Sequence, residues 1–245
     1  MTMTDPDLRW ETVDTADGPM KLYEATPTGD ARAAVVVIQE AFGINDHIQD
    51  VTRRFAAEGH HAVAPEMFHR AGGGTAPYGD FSKVLPLFEG LTDDGILRDV
   101  DAALDHLRGA GWTDDRIALV GYCFGGRVSF LVAVRRSLGA AAGFYGGGIV
   151  TARRGGFPAL VGEAAALKTP WLGLFGDLDE SIPVDDVEQL REALDRDASV
   201  AHEVVRYGDA GHGFHCDARE SYHDPSARDA WQRTLRWFDT HLATG

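Results

Sequence analysis

A chain of 245 residues with 44% hydrophobic content is long and apolar enough for one domain with a sizeable core. Its formal net charge of −15 argues against nucleic-acid binding and against attraction to anionic lipid, both of which need basic surfaces. The N-terminus is polar, without the apolar core of an export signal. No apolar run approaches a membrane span. Two cysteines make no disulfide framework, so reduced thiols in the cytoplasm are expected.

The first segment, 8–26, reads as two short strands around Asp17-Gly18, a hairpin leading into a sheet. Six strand-like runs follow, at 33–40, 61–68, 116–123, 140–148, 170–177 and 201–208. They are nearly continuous in apolar residues, as central strands covered on both faces are. Between them lie helical patterns. The stretch 46–59 opens with an acidic cap at Asp46 and stops at Gly59. The stretch 92–111 carries Ile96, Val100, Leu104 and Leu107 at helical spacing. The stretch 183–197 has an early proline and acids in its first turn. The stretch 225–242 places Trp231, Leu235 and Phe238 on one stripe. Glycine-rich 70–80 reads as a surface loop. No repeat or linker divides the chain, so a single domain over 1–245 is expected. Strands alternating with helices predict an α/β fold, a mostly parallel sheet with helices on both faces and an antiparallel hairpin at its start.

In such sheets, sites form at the carboxyl ends of strands. The run 116–123 ends in Gly121-Tyr122-Cys123-Phe124-Gly125-Gly126, a G-x-Nuc-x-G elbow with cysteine at the nucleophile position. Its small neighbours are needed because the turn is strained and chain segments approach closely. The turn aims the sulfur outward, and the Phe124 N–H faces any oxyanion formed there. The run 170–177 ends in Asp177 and Asp179, two candidates for an acid that orients a histidine. The last run ends at His212, between Gly211 and Gly213. The chain order Cys, Asp, His is that of α/β-hydrolase triads. His212, His215 and Cys216 also raise a zinc reading, but the cluster is short and lacks a second ligand pair.

The segments QEAFGIN (39–45), GYCFGG (121–126), FGDLDESIP (175–183) and DAGHGFHCD (209–217) together resemble the dienelactone hydrolase family of the α/β-hydrolase superfamily. The resemblance spans nearly the whole chain. It implies a cysteine-dependent hydrolase of carboxylic esters or lactones that works through a thioester acyl-enzyme, with no metal and no organic cofactor. Position by position, Cys123 resembles the nucleophile, His212 the base and Asp179 the orienting acid. Glu40 matches the glutamate that contacts the resting thiol. Ala41 and Phe124 match the two backbone donors of the oxyanion hole. Phe42, Tyr145 and Gly213 are candidate pocket residues.

One family feature is missing. Family members that act on dienelactone itself hold its carboxylate with two arginines. The position four residues after His212 is Cys216, and 71–90 contains no arginine. A less charged ester or lactone is therefore the expected small-molecule substrate, with no nucleic-acid or membrane partner, for a monomeric enzyme. The same machinery would serve an acyltransferase or thioesterase. From a different class, the fold could serve as a non-catalytic ligand-binding or thiol redox-sensing module.

Overall fold

The computed structural model describes residues 5–152 and 156–244. Their strands run in the order β1-β2-β4-β3-β5-β6-β7-β8, an eight-stranded, mostly parallel sheet flanked by helices. The expected α/β architecture and its antiparallel opening hairpin are both present. The chain divides into two compact units, one reaching to Ala118 and taking up the tail from Ala243, the other spanning Leu119–Leu242.

In the first unit, β1 (Asp7–Thr15) and β2 (Gly18–Thr26) pair antiparallel from Asp7↔Thr26 to Thr15↔Gly18. The turn is therefore Ala16-Asp17, one residue before the sequence expectation. Asp17 anchors it by accepting from Arg70 at 2.6 Å and Arg98 at 2.9 Å. β2 pairs antiparallel with β4 (His60–Pro65), which pairs parallel with β3 (Ala33–Ile38). Every residue of β3 and β4 is buried, as continuous apolar runs require. α1 (Asp46–Ala57) is capped by Asn45, whose side chain accepts from the Ile48 N–H at 3.2 Å. The expected acidic cap at Asp46 is corrected by one residue. Asp46 instead lies in the first turn, where its charge suits the helix dipole. α2 (Phe81–Leu87) is short, contains Pro86, and follows the expected loop. α3 (Asp93–Gly109) starts at a Thr92 cap and buries Ile96, Val100, Leu104 and Leu107.

The second unit holds most of β5 (Ile117–Tyr122), then α4 (Phe124–Arg135), β6 (Ala140–Phe144), β7 (Trp171–Gly176), α5 (Val184–Asp197), β8 (His202–Tyr207) and α6 (Asp224–His241). β6, β7 and β8 pair parallel in sequence order. β5, β6 and β7 are wholly buried. β8 is mostly half-exposed, because it is the last strand in the order. The stripe Trp231, Leu235 and Phe238 of α6 is buried as its spacing predicts. No helix among the described residues is long and apolar enough to cross a membrane.

Candidate active site

Cys123 stands between the last residue of β5 and the first of α4, at φ 55° and ψ −112°. A non-glycine residue held in such a conformation costs about 1–3 kcal/mol, and it persists only where its surroundings impose it. Here they do. The Cys123 N–H donates to the Phe144 carbonyl at 3.0 Å, and the Cys123 carbonyl accepts from the Gly126 N–H at 2.9 Å. The glycines are a steric necessity. A Cβ on Gly121 would lie 1.8 Å from the Gly125 carbonyl oxygen, and one on Gly126 would lie 2.4 Å from that of Phe144. The sulfur thus sits at the N-terminus of α4. The first N–H groups of any helix point there without intrahelical acceptors, and the dipole favours negative charge.

His212, on the loop after β8, reaches this sulfur. Its Nε2 lies 3.1 Å from Cys123 Sγ, and its Nδ1 lies 2.6 Å from Asp179 Oδ2. Asp179 is buried, and its other oxygen is also engaged. Oδ1 accepts the Ser181 N–H at 2.9 Å and the Ser181 hydroxyl at 2.7 Å. Asp177 faces elsewhere. Both its oxygens accept from Arg206 at 2.7 Å. Of the two acids left open by the sequence, Asp179 is therefore the one against the histidine.

The charges of this group act on one another. Burial opposes a charge on His212, but the negative Cys123 sulfur and then the Asp179 carboxylate outweigh it and push the imidazole up to about 10. Burial works to raise Asp179, yet His212 and then Ser181 hold it below its ordinary value. The arrangement favours a proton on the imidazole, between the Cys123 sulfur and the Asp179 carboxylate.

Phe124 is the first residue of α4, and its ring lies 6.2 Å from that of Phe157. Tyr145 is wholly buried, at φ 39°, with its ring centroid 5.1 Å from that of His212. Gly213 also has positive φ, at 78°, and a Cβ there would run into the Arg219 guanidinium. Glu40, Ala41 and Phe42 belong to the first unit. There Glu40 and Gly43 form an isolated bridge that turns the chain at Ala41-Phe42. Glu40 is buried and accepts from the Tyr78 hydroxyl at 2.9 Å. Phe42 packs its ring edge-on against Tyr78, centroids 4.8 Å apart. Ser181 was not singled out from the sequence. Its signal is a serine two residues after an aspartate, the pattern of a local Asx turn.

The zinc cluster raised by the sequence does not assemble. His212 faces Cys123 and Asp179, while the His215 ring packs against those of Tyr122 and Phe144. In the first unit, Glu24, His61 and His106 converge closely enough to suggest a metal site. Their hydrogen bonding opposes it. The Trp112 indole N–H donates to His61 Nδ1 at 3.0 Å. The neutral His61 ring must then carry its proton on Nε2, the atom facing Glu24. That atom has no lone pair for a metal. With Arg9 also on Glu24 at 2.9 Å, the group is a buried ion-pair network.

The family model described as the dienelactone hydrolase family matches residues 20–242. A protein of Salmonella typhimurium (strain LT2) assigned as a carboxymethylenebutenolidase is 39% identical over 226 residues, covering 89% of this chain and 82% of its own. A Bradyrhizobium protein assigned as a 2-oxo-3-(5-oxofuran-2-ylidene)propanoate lactonase is 30% identical over 243 residues, covering 95% of this chain and 94% of its own. A crystal structure from Klebsiella pneumoniae, assigned as a dienelactone hydrolase, aligns with TM-score 0.88 at 36% identity, over 96% of this chain and 99% of that one. With the strand order and the strand-end residues above, these matches establish that the chain belongs to the dienelactone hydrolase family, has the α/β-hydrolase fold and hydrolyses ester or lactone bonds.

Proposed function

We propose that Cys123, His212 and Asp179 are the catalytic triad, and that the reaction passes through a thioester on Cys123. The carrying observation is the run of short contacts from Sγ to Nε2 and from Nδ1 to Oδ2, at 3.1 and 2.6 Å, on a sulfur held at a strained elbow. A free thiol is only a few per cent ionised at neutral pH, so the nucleophile needs a base beside it. His212 Nε2 takes the thiol proton, and the sulfur attacks the ester or lactone carbonyl. The S–C bond forms as the carbonyl electrons move to oxygen. The N-terminus of α4, through the Phe124 N–H, stabilises that oxyanion. Such a donor is worth about 3 kcal/mol. The oxyanion collapses, the C–O bond breaks, and His212 returns its proton to the leaving alkoxide.

The second half follows from the same electrostatics. In the thioester the sulfur carries no charge, so its upward pull on His212 is gone. The imidazole is then free to take a proton from water. Hydroxide adds to the thioester carbonyl, the C–S bond breaks, and the carboxylic acid departs as the thiol is restored. Asp179 holds the ring tautomer throughout.

The resemblance adds two parts, a backbone N–H of Ala41 as second oxyanion donor and Glu40 as a gate that keeps the resting thiol neutral by like charge. A gated thiol is also slower to oxidise. Glu40→Ala is expected to raise the oxidation rate of Cys123 by peroxide, and an unchanged rate removes the gate. Residues 1–245 act as one catalytic domain in this reading, since one family model spans 20–242. Cys123 and Cys216, neither of them in a disulfide, fit a reducing cytoplasm.

The experiment is hydrolysis of p-nitrophenyl acetate and of dienelactone by the wild type and Cys123→Ala. Acetate turnover that vanishes in the variant supports the triad. A weak dienelactone rate supports an uncharged substrate. No turnover of either, with fast reversible oxidation of Cys123, turns the reading to thiol sensing.

A further inference from the structure

A cavity of about 310 Å³ opens in the second unit at the carboxyl ends of β6 and β7. Sheets of this kind place their ligands at that edge, and the volume lies at the small end of ligand pockets. Ile149, Phe175, Ile182, Val187 and Leu190 give it apolar walls. Two walls are tied to the triad. On one side, the backbone of Gly146 packs against Gly126, three residues past Cys123, so closely that a Cβ would lie 2.5 Å from the Gly126 carbonyl carbon. On the other, Ser181 holds Asp179, with its Oγ 3.5 Å from His212 Nδ1. The Ser181 hydroxyl already donates to Asp179, so its proton is not offered to a polar ligand. Glu180 and Asp186 add carboxylates to the lining, which disfavours an anionic occupant.

We infer that this cavity is a substrate subsite that takes the uncharged apolar chain of an ester or lactone. The inference rests on the hydrolase reading above and adds the class of substrate. It agrees with the missing arginine clamp, which had no bearing on the cavity. A chain that fills apolar walls loses its hydration on binding, and in a fitted pocket one methylene changes specificity roughly 10-fold or more. The subsite therefore sets preference by chain length and leaves the triad geometry alone.

The test is kcat/KM for p-nitrophenyl acetate, butyrate and hexanoate, and for the carboxylate-tipped p-nitrophenyl hemisuccinate. Wild type is expected to favour hexanoate over acetate by about tenfold or more, and to turn over hemisuccinate more slowly than butyrate. Leu190→Trp and Val187→Phe, each checked by thermal melt, fill the cavity and are expected to cut the hexanoate-to-acetate ratio about tenfold. A flat wild-type profile overturns the inference without any variant. An unaltered ratio in a folded filling variant also overturns it. So does a hemisuccinate preference that disappears in the double variant Arg153→Ala and Arg154→Ala, two residues that follow the lining residue Ala152 in sequence. Cys123→Ala separates the two levels. Turnover surviving in that variant refutes the triad, whereas the chain-length profile judges the cavity.

Discussion

Asp179→Asn is the sharpest perturbation of the proposed site, because it alters one atom of a buried carboxylate. Asp179 Oδ2 lies 2.6 Å from His212 Nδ1, a charge-assisted bond. Ser181 fixes Oδ1 with two donors at 2.9 and 2.7 Å. In the variant those donors keep the new amide oxygen at the Oδ1 position and turn the amide NH₂ toward Nδ1. The imidazole must then leave Nδ1 unprotonated and carry its proton on Nε2, facing the sulfur it should deprotonate. A wrong tautomer of this kind lowers kcat by about 10⁴ in a comparable triad, or about 5.5 kcal/mol. The variant also has a pH signature. Asp179 helps push His212 up to about 10, so its loss moves the alkaline limb of kcat/KM to lower pH. Asp177→Asn is the companion. It weakens a partly exposed pairing with Arg206 worth about 1 kcal/mol or less, and kcat is expected to stay within about twofold. The assay is steady-state ester hydrolysis from pH 6 to pH 11 with a thermal melt of each variant. Loss of turnover in Asp177→Asn with retention in Asp179→Asn would refute the assignment.

Gly126→Ala puts a methyl 2.4 Å from the Phe144 oxygen and 2.7 Å from the Gly146 Cα, both backbone. It is expected to cost about 3 kcal/mol or more in denaturant unfolding, and a change under about 1 kcal/mol contradicts the packing. Ser181→Ala removes one of two donors to Asp179 Oδ1 and is expected to lower kcat about tenfold with KM little changed. An unchanged kcat shows that the Ser181 N–H alone orients the acid. Glu24→Gln tests the buried network of the first unit. Burial works to raise Glu24, but His106 and His61 hold it well below its ordinary 4.5, while Glu24 raises His106 above 6.5 against burial. The Glu24 contribution is complete above pH 4.5 and fades as pH falls through its lowered value. The His106 contribution is complete below pH 6.5 and fades as pH rises through its raised value. The stability advantage of wild type over Glu24→Gln is thus expected to peak between about pH 4.5 and pH 6.5. A difference independent of pH removes the network's electrostatic role.

The fold was legible in sequence wherever one periodicity dominated. β3, β5 and β7 read as continuous apolar runs and are buried at every residue. α3 and α6 each show one apolar stripe, and that stripe is the buried face. α4 shows no stripe because it is buried almost all round, so only the elbow before it announces a helix. α2 gives no signal. It spans seven residues, holds a proline, and leaves Phe81 and Leu85 exposed.

The site was legible as chemistry before it was legible as geometry. Cys123 and His212 stand out by their glycine neighbours, because close backbone approach leaves a mark in sequence. The choice between Asp177 and Asp179 leaves no such steric mark, and in sequence only the family resemblance points to Asp179. The choice is decided by Arg206, which engages Asp177 from β8, and by Ser181, which turns Asp179 toward His212. Such long-range pairing has no local pattern. The cap of α1 shows the same limit on a smaller scale, since Asn45 and Asp46 are both good caps and only the backbone chooses.

The most direct measurement is the intact mass of the protein quenched in acid during turnover of p-nitrophenyl acetate. A thioester on Cys123 predicts one added acetyl group on the wild type, lost on hydroxylamine treatment and absent from Cys123→Ala. It also predicts that the adduct accumulates in a variant slowed at His212. Full turnover with no covalent adduct under any quench, or an adduct that persists in Cys123→Ala, would contradict Cys123 as the acyl-bearing nucleophile.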